Sequence, residues 1–346
     1  TFDDILQKNH YSDQTFNGTI ELRLDNQGNL MAISEVPLEK YLKRAIYSEV
    51  GTELPLEFLK SFAIVARSEA IARIKHKQLG ESFDYCNTGH SLRYLGNDFE
   101  DENIEEAVES TRGQVLSTND HIRDTPFHLV CGGHTEDASG IWGSVDRPFF
   151  KGRYDWKSLP KDFTTLKDEK MVRKWIESRP QVWCNLKGRK IPPALEKYKQ
   201  YFRWELSYSR RELEEIIHKK TGEDVGTLFD IFPMSRGNSG RLSEIELIGS
   251  LKNYRIKGLF NIREALAYDY LPSSCFIIEK ELDETGTPIM FTFIGAGQGH
   301  GVGLCKTGAA VMAYEGNKKC EYILKHYFQE SNIRSIYEID LKDKKK

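Results

Sequence analysis

A change in the spacing of apolar residues near residue 36 is the strongest constraint on the fold of this chain. Before it, residues 18–24 alternate apolar and polar side chains, which predicts a strand. After it, apolar residues recur at intervals of three and four: Leu38, Tyr41, Leu42, Ala45 and Ile46. This spacing predicts a helix over residues 37–49, which Gly51 breaks. Pro55 begins a second helix that extends to about residues 77–80, so the two helices form a hairpin.

The rest of the chain predicts short strands and helices without the regular rhythm of a doubly wound parallel sheet. Strands are predicted over residues 114–116, 125–130, 202–208, 241–249, 275–281 and 288–294. Helices are predicted over residues 101–110, 209–220, 261–267, 304–315 and 318–328. The predicted fold class is therefore α+β, with mixed helices and antiparallel strands around the helical hairpin.

Residues 150–204 differ in composition from the segments on either side. They are rich in Lys and Arg, and the five tryptophans lie in or beside them: Trp142, Trp156, Trp175, Trp183 and Trp204. Aromatic faces of this kind either line a saccharide groove or belong to a core. We expect a polar lead-in over residues 1–16, a main domain over 17–335 with this insertion at about 150–204, and a charged tail over 336–346.

Charge and composition exclude several classes of protein. The formal charge of −3, from 49 basic and 52 acidic residues, gives no broad basic surface for nucleic acid.

No apolar run approaches the ~20 residues of a membrane helix. The chain begins at Thr1 without a charged or apolar leader segment, so we expect a processed or trimmed form from which any export signal has been removed. The six cysteines contain no CxxC pair, which excludes a zinc ribbon and a thioredoxin motif.

Glu49 is the first candidate for chemistry, because it lies at the end of the predicted first helix. The negative end of the helix dipole and partial burial in the hairpin both favour the protonated carboxyl group that a general acid needs. A surface glutamate is the alternative.

Lys60 and Arg67 lie seven residues apart on the second helix, so they share one face and could contact the same anion or sugar. The alternative is that Lys60 and Arg67 are ordinary solvated side chains on an exposed face of the helix.

A glycine-rich loop over residues 295–303 follows a predicted strand and reads GAGQGHGVG. Its spacing does not fit GxGxxG, since His300, Val302 and Leu304 occupy the third glycine position in the three possible registers. Alternating glycines instead let the backbone approach another surface closely while presenting His300. The alternative is a tight connection that contains a structural histidine.

Two cysteines are further candidates. Cys86 and His90 have CxxxH spacing, but two ligands do not make a tight zinc site. Cys131 could be a thiol nucleophile with His134 or His300 as its base. A small buried cysteine is the alternative.

Several segments together resemble the SpoIID/LytB family, and they follow the family's order across residues 18–330. They read VPLEKYLKRAIYSE at 36–49, PLEFLKSFAIVARS at 55–68, a block over 83–94, TRGQV at 111–115, CGGHTE at 131–136, FRWE at 202–205, SGR at 239–241 and GHGVG at 299–303. The number and order of the blocks make this resemblance more specific than any block alone.

The resemblance implies a SpoIID-like fold and a lytic transglycosylase that cleaves peptidoglycan strands stripped of stem peptides. Glu49 falls on the family's catalytic glutamate. The residues that we predict to bind substrate are Lys60, Arg67, Tyr94, Gln298 and His300. One carboxyl group suffices for this reaction: it protonates the glycosidic oxygen and then takes a proton from the C6 hydroxyl, which closes a 1,6-anhydro ring. No cofactor is required.

The resemblance also implies an exported protein, in the periplasm or at the cell surface, whose partner is the glycan strand. One alternative is a non-catalytic glycan-binding protein that activates a cell-wall amidase. The other is a thiol-dependent cell-wall peptidase that uses Cys131 or Cys305.

This sequence departs from the family at three places. Some members bind zinc through a Cys and a following His-Cys pair, and here Ser91 stands beside Cys86 and His90 in place of the second cysteine. We therefore expect weak zinc occupancy there. Cys131 and Cys305 occupy positions that are commonly serine, where they could pair or bind a metal. Glu69 replaces an aromatic residue near the expected groove.

Overall fold

The computed structural model describes residues 18–75, 83–85, 92, 94, 101–119, 121–142, 150–157, 163 and 165–339. The predicted lead-in and residues 340–346 of the predicted tail lie outside these ranges. The described helices are α1 (Leu38–Val50), α2 (Leu56–Lys75), α3 (Glu102–Ser110), α4 (Ala138–Trp142), α5 (Glu169–Ser178), α6 (Lys199–Phe202), α7 (Arg210–Thr221), α8 (Leu259–Ala265), α9 (Lys306–Tyr314) and α10 (Cys320–Tyr327), with a 3₁₀ turn at Pro193–Tyr198.

The described strands form small sheets, and most of their pairings are antiparallel. They are β1 (Thr19–Leu24), β2 (Leu30–Glu35), β3 (Gln114–Thr118), β4 (His121–Ile122), β5 (Phe127–His128), β6 (Trp204–Ser209), β7 (Leu228–Arg236), β8 (Leu242–Gly249), β9 (Asn253–Lys257), β10 (Phe276–Leu282), β11 (Pro288–Gly295), β12 (Leu304–Cys305) and β13 (Asn332–Ser335). The short β5 and β12 pair in parallel. The predicted α+β class is confirmed.

The chain divides into two compact units. The first unit comprises residues 1–126, 317–325 and 330–346, and the second comprises residues 127–316 and 326–329. The described residues of the predicted insertion all belong to the second unit. None of the described helices is both long and apolar enough to cross a membrane.

In the first unit, α2 is the central helix. It is buried on nearly every side between Phe58 and Ala70, and α1, α3 and β3 pack against it. Because this span also contains buried polar residues such as Arg67 and Glu69, the elements around α2 must supply hydrogen-bond partners as well as apolar contacts. The sheet β13–β3–β4, the hairpin β1–β2 and most of α10 also belong to this unit.

The second unit contains two antiparallel three-stranded sheets, with strand orders β10–β11–β6 and β7–β8–β9. Aromatic side chains of the first sheet form part of one core, with Phe276 and Phe293 in edge-to-face contact at 5.4 Å between ring centroids. Trp175, Trp183 and Trp204 are buried, so these tryptophans are core residues rather than the lining of a groove. Trp142 is exposed.

Candidate functional site

Glu49 lies in the last turn of α1 and is half-buried. Glu49 follows Leu42, Ala45 and Ile46 at helical spacing, so it lies at the end of the buried face of α1, which comprises Tyr41, Leu42, Ala45, Ile46 and Val50. Gly51 ends the helix with φ +78°, and its N–H donates to the carbonyl oxygen of Tyr47 at 2.8 Å. Glycine adopts this left-handed backbone without strain. The fold therefore holds the Glu49 carboxyl group at a partly exposed helix end, where the sequence predicts it.

Arg67 is fully buried, and its donors bind groups of the protein. Its Nε and Nη2 donate to the two carboxylate oxygens of Glu39 at 3.0 and 2.7 Å. Its remaining donors reach the carbonyl oxygens of Val108 at 3.3 Å and Gln114 at 3.1 Å. Arg67 thus joins α1, α2, α3 and the start of β3. The expectation that Arg67 contacts a glycan is wrong in this geometry, because its side chain has no exposed surface.

Lys60 is half-buried and has different partners from Arg67. Its Nζ lies 3.7 Å from a carboxylate oxygen of Glu57 and 4.0 Å from one of Glu106. The seven-residue spacing therefore does not bring Lys60 and Arg67 to the same anion. Lys60 keeps a partly exposed ammonium group that a ligand can reach, with 22% of its side chain exposed.

Tyr94 is half-buried and stacks against α1. Its ring lies 5.6 Å from that of Tyr41, and Tyr41 stacks on Tyr85 at 5.4 Å. The Tyr41 hydroxyl donates to the carbonyl oxygen of Leu92 at 3.4 Å. Burial raises the pKa of Tyr94, although the nearby Arg44 opposes this shift. Tyr41 is buried, so the partly exposed rings of this stack are those of Tyr85 and Tyr94, and exposed aromatic faces pack on the C–H surfaces of sugars.

Gln298 and His300 lie in the glycine-rich loop of the second unit. The backbone N–H of Gln298 donates to the carbonyl oxygen of Val130 at 2.7 Å. The His300 Nδ1 accepts from the N–H of Val302 at 3.1 Å, and its ring lies 5.5 Å from that of Trp142. Burial lowers the pKa of His300 well below its ordinary value, so the imidazole is neutral at pH 7. His300 can therefore act as a hydrogen-bonding group but not as a cation.

Arg241 is a buried residue that the sequence analysis did not single out, although it lies in the SGR block. Its guanidinium donates to the carbonyl oxygen of Cys131 at 3.1 Å and to the hydroxyl of Ser239 at 2.8 Å. A Cβ atom at Gly301 would lie 2.4 Å from the Arg241 Cζ, so this position requires glycine. Three of the blocks quoted above, CGGHTE, SGR and GHGVG, meet at this side chain.

Glu136 is a second buried residue that the sequence analysis did not single out. Its carboxylate accepts from the N–H groups of Asn238 and Ser239 at 3.0 and 3.1 Å and from the Ser239 hydroxyl at 2.6 Å. Burial raises the pKa of Glu136, while Ser239 and Arg241 oppose this shift. These contacts fix the loop between β7 and β8. Its position in the CGGHTE block was the signal available in the sequence.

The candidate thiols are buried. Cys131 and Cys305 are 2% and 0% exposed, so a peptide cannot reach either sulfur in this structure. Burial lowers the pKa of His134 to about 4, and its Nδ1 contacts the carbonyl oxygen of Thr135 rather than a thiol. This geometry does not support the thiol-dependent peptidase. Cys86 and His90 lie outside the described residues, so zinc binding there stays a prediction.

Comparisons with known proteins match different families in the two units. Residues 26–117, in the first unit, match SpoIID, described as Stage II sporulation protein. Residues 136–303, in the second unit, match a Domain of unknown function (DUF8618).

Curated relatives cover most of the chain. An uncharacterized protein of Brachyspira hyodysenteriae is 26% identical over 305 residues, which span 88% of this chain and 68% of that protein. Stage II sporulation protein D of Bacillus subtilis is 25% identical over 316 residues, spanning 87% of this chain and 76% of that protein. The Amidase enhancer of Bacillus subtilis is 22% identical over 312 residues, spanning 85% of this chain but only 40% of that protein. These comparisons support the predicted resemblance to the SpoIID/LytB family and a role related to the cell wall.

Proposed function

We propose that this protein is a peptidoglycan lytic transglycosylase that cleaves stem-free glycan strands between MurNAc and GlcNAc. Glu49 serves as both the general acid and the general base. The observation that carries this proposal is the position of Glu49: a half-buried carboxyl group in the last turn of α1, within the segment that matches SpoIID. The proposed mechanism requires this carboxyl group to carry a proton before cleavage.

The proposed reaction uses one carboxyl group in two steps. Protonated Glu49 donates its proton to the glycosidic oxygen while the bond from C1 of MurNAc to that oxygen breaks. The resulting carboxylate takes the proton of the MurNAc C6 hydroxyl, and O6 forms the new bond to C1. The C6 hydroxyl is held close to C1 within the same sugar, which favours it over water. The strand then ends in 1,6-anhydroMurNAc, and Glu49 is protonated again.

Three features of the first unit support this assignment. The Arg67–Glu39 ion pair holds the start of α1 against α2, which fixes the direction of the helix that carries Glu49. The half-buried ring of Tyr94, which stacks on the buried Tyr41, offers a surface for a sugar ring. The ammonium group of Lys60 can pair with the lactyl carboxylate that each MurNAc exposes once its stem peptide is removed.

Gln298 and His300 stay predicted substrate contacts, with a neutral imidazole as the hydrogen-bonding group. Because peptidoglycan lies outside the cytoplasmic membrane, we also propose that the protein acts after export. The reaction as written needs no cofactor.

The test compares two glutamine variants on purified, stem-free glycan strands. Glu49→Gln keeps the size of the side chain and removes the proton to be donated, so turnover should fall by ~10²-fold or more. Glu53→Gln is the matched control, because Glu53 is an exposed glutamate four residues further along the chain. It should retain the activity of the unchanged protein. Mass spectrometry should find anhydroMurNAc ends, one water lighter than hydrolysed ends.

The same material tests the alternative activity. The name of the Amidase enhancer relative suggests a protein that activates a cell-wall amidase. If the chain binds stem-free strands without cleaving them and stimulates an amidase equally with or without the Glu49→Gln change, the proposed function is wrong. Hydrated reducing ends as the main product would also contradict it.

A further inference from the structure

Four buried side chains with metal-binding atoms converge in the second unit from separate segments of the chain. They are Cys131, Asp155, Cys184 and Cys305, which we call the Cys–Asp cluster. Their sulfur and carboxylate oxygen atoms all lie within 4.8 Å of one another. Each of the four residues is at most 2% exposed. A single ion could therefore contact all four without reaching solvent.

The carboxylate of Asp155 is oriented toward the sulfur atoms by groups behind it. Its Oδ1 accepts from the Tyr327 hydroxyl at 2.8 Å and lies 3.2 Å from Nε2 of His326. Its Oδ2 lies 3.3 Å from the sulfur of Cys131. Outer hydrogen bonds of this kind commonly fix the orientation of carboxylates that bind metals.

Backbone N–H groups point at two of the sulfur atoms. Cys305 immediately precedes α9, and its sulfur accepts from the N–H groups of Cys131 and Gly308 at 3.3 and 3.4 Å. The sulfur of Cys131 accepts from the N–H of Gly133 at 3.3 Å. These donors and the N-terminus of α9 stabilise negative charge on the sulfur atoms. The negatively charged thiolate is the form of cysteine that binds metals.

The basic groups that interact with the cluster are two histidines, His128 at Cys305 and His326 at Asp155, and the buried Arg203. Among the described residues, the ion-pair partner of the Asp155 carboxylate is His326. The buried guanidinium of Arg203 does not pair with Asp155, because its hydrogen bonds go to four backbone carbonyls: those of Gly132, Trp175, Ile176 and Phe202. A buried carboxylate beside three thiols is costly unless a cation compensates it, and a divalent ion would do so.

We propose that one zinc ion binds in the second unit with four protein ligands: Cys131, Asp155, Cys184 and Cys305. Three sulfur ligands favour zinc over calcium or magnesium, which prefer oxygen. A tetrahedral ion with Zn–S bonds of ~2.3 Å places its sulfur ligands ~3.8 Å apart. The Cys131 and Cys184 sulfurs lie 3.3 Å apart in the structure, so small side-chain rotations suffice.

The site is structural, because four protein ligands leave no open position for a substrate. Asp155 and Cys184 come from the insertion, whereas Cys131 and Cys305 flank it in the chain. The ion would therefore fasten the insertion to the second unit. This role does not depend on Glu49 or on glycan cleavage.

The test measures the metal content of the purified full chain by elemental analysis, before and after dialysis. The unchanged protein should retain about one zinc ion per chain, and Cys184→Ser should retain at least ~10-fold less. Cys275→Ser is the matched control, because Cys275 is a buried thiol of the same unit outside the cluster. Cys86→Ser separates this site from the predicted Cys86–His90 site. Both of these variants should retain the zinc.

A second measurement holds even if Cys184→Ser does not fold. Zinc in the Cys86→Ser protein is exchanged for cobalt, whose absorption spectrum reports thiolate ligands and tetrahedral geometry. We expect thiolate-to-cobalt charge-transfer bands and strong absorption in the red, both altered by Asp155→Asn. Protein with no retained metal, a Cys131–Cys184 disulfide found by mass spectrometry, or loss of zinc in Cys86→Ser would each overturn the proposal. None of these outcomes bears on the activity assigned to Glu49.

Discussion

Three buried arginines, one in the first unit and two in the second, have different kinds of partner. In the first unit, the guanidinium of Arg67 pairs with the carboxylate of Glu39. In the second, the guanidinium groups of Arg203 and Arg241 donate mainly to backbone carbonyls. Arg67 thus joins helices of the first unit with a carboxylate as its main partner, whereas Arg203 and Arg241 fix loops of the second unit mainly through main-chain groups. The second unit also contains a buried arginine with a carboxylate partner, Arg236, which pairs with Glu169. Substitution can replace both side chains of an ion pair. It cannot remove a backbone carbonyl, which still needs a hydrogen-bond donor after the arginine is replaced.

The largest effect on stability is expected from Arg67→Ala. This change leaves the Glu39 carboxylate, which is 14% exposed, without its partner, and breaking a buried pair costs ~3–5 kcal/mol. The double variant Arg67→Met, Glu39→Leu should recover at least half of that loss, because apolar residues of similar volume often replace a buried pair without cost. Denaturant unfolding at unchanged m value measures both.

The corresponding substitutions at Arg241, in the second unit, are expected to give the opposite result to those at Arg67. Arg241→Met leaves the carbonyl oxygen of Cys131 without this donor, and adding Ser239→Ala removes a hydroxyl but cannot restore a donor. The double variant in the second unit should therefore recover nothing. If the Arg67 and Arg241 double variants recover stability to the same extent, the distinction between these two arginine sites fails.

The elements that could be predicted are those whose apolar pattern matches their burial. The sequence predicts a helix over residues 37–49, and α1 spans Leu38–Val50. Strand β7 (Leu228–Arg236) was not predicted, because it contains Pro233 and carries exposed apolar residues such as Phe232. Helix α5 was missed, although Val172, Trp175 and Ile176 have helical spacing, because its many charged residues obscured that pattern.

The candidate site could be predicted only where local sequence determines it. The Gly51 break marks the helix end that carries Glu49, and that signal is local. The partners of Arg67 come from α1, α3 and β3. The spacing of residues along α2 predicts the face of the helix on which Arg67 lies, but it does not predict which elements cover that face. The Cys–Asp cluster is still less local, since Cys131 and Cys184 are 53 positions apart.

The pH dependence of stability tests a second buried carboxyl group in the first unit. Burial and the neighbouring Asp124 raise the pKa of Glu69 to about 8, and Arg73 opposes this shift. The folded protein thus binds this proton more tightly than the unfolded chain, in which the pKa is about 4.5. The stabilisation is complete below pH 4.5 and is lost as the pH rises toward 8. We expect a loss of ~1–3 kcal/mol between these limits, given ~1.4 kcal/mol per pKa unit and the opposing Arg73.

Glu69→Gln isolates this contribution. Glutamine keeps an acceptor for the N–H of Thr125, which donates to the Glu69 carboxylate at 3.0 Å, and it does not titrate. The variant should lose less stability than the unchanged protein as the pH rises. The control is Glu102→Gln, since Glu102 is exposed at the start of α3. Equal slopes for the two variants would show that Glu69 does not bind a proton in this range.

The smallest effect on stability is expected from Lys60→Met, and it separates a charge used for binding from a charge used for packing. Methionine keeps most of the apolar stem, and the ion pairs lost are long, at 3.7 and 4.0 Å, so stability should change by ~0.5 kcal/mol or less. If Lys60 pairs with the lactyl carboxylate, KM for stem-free strands should rise about fivefold while kcat is little changed, since such a pair contributes ~1 kcal/mol. Lys43→Met is the control, because Lys43 pairs with Glu105 and Glu109 on α3 and should affect stability without affecting KM. A KM that is the same for both variants would assign Lys60, like Lys43, to the charge pairs that hold the helices together.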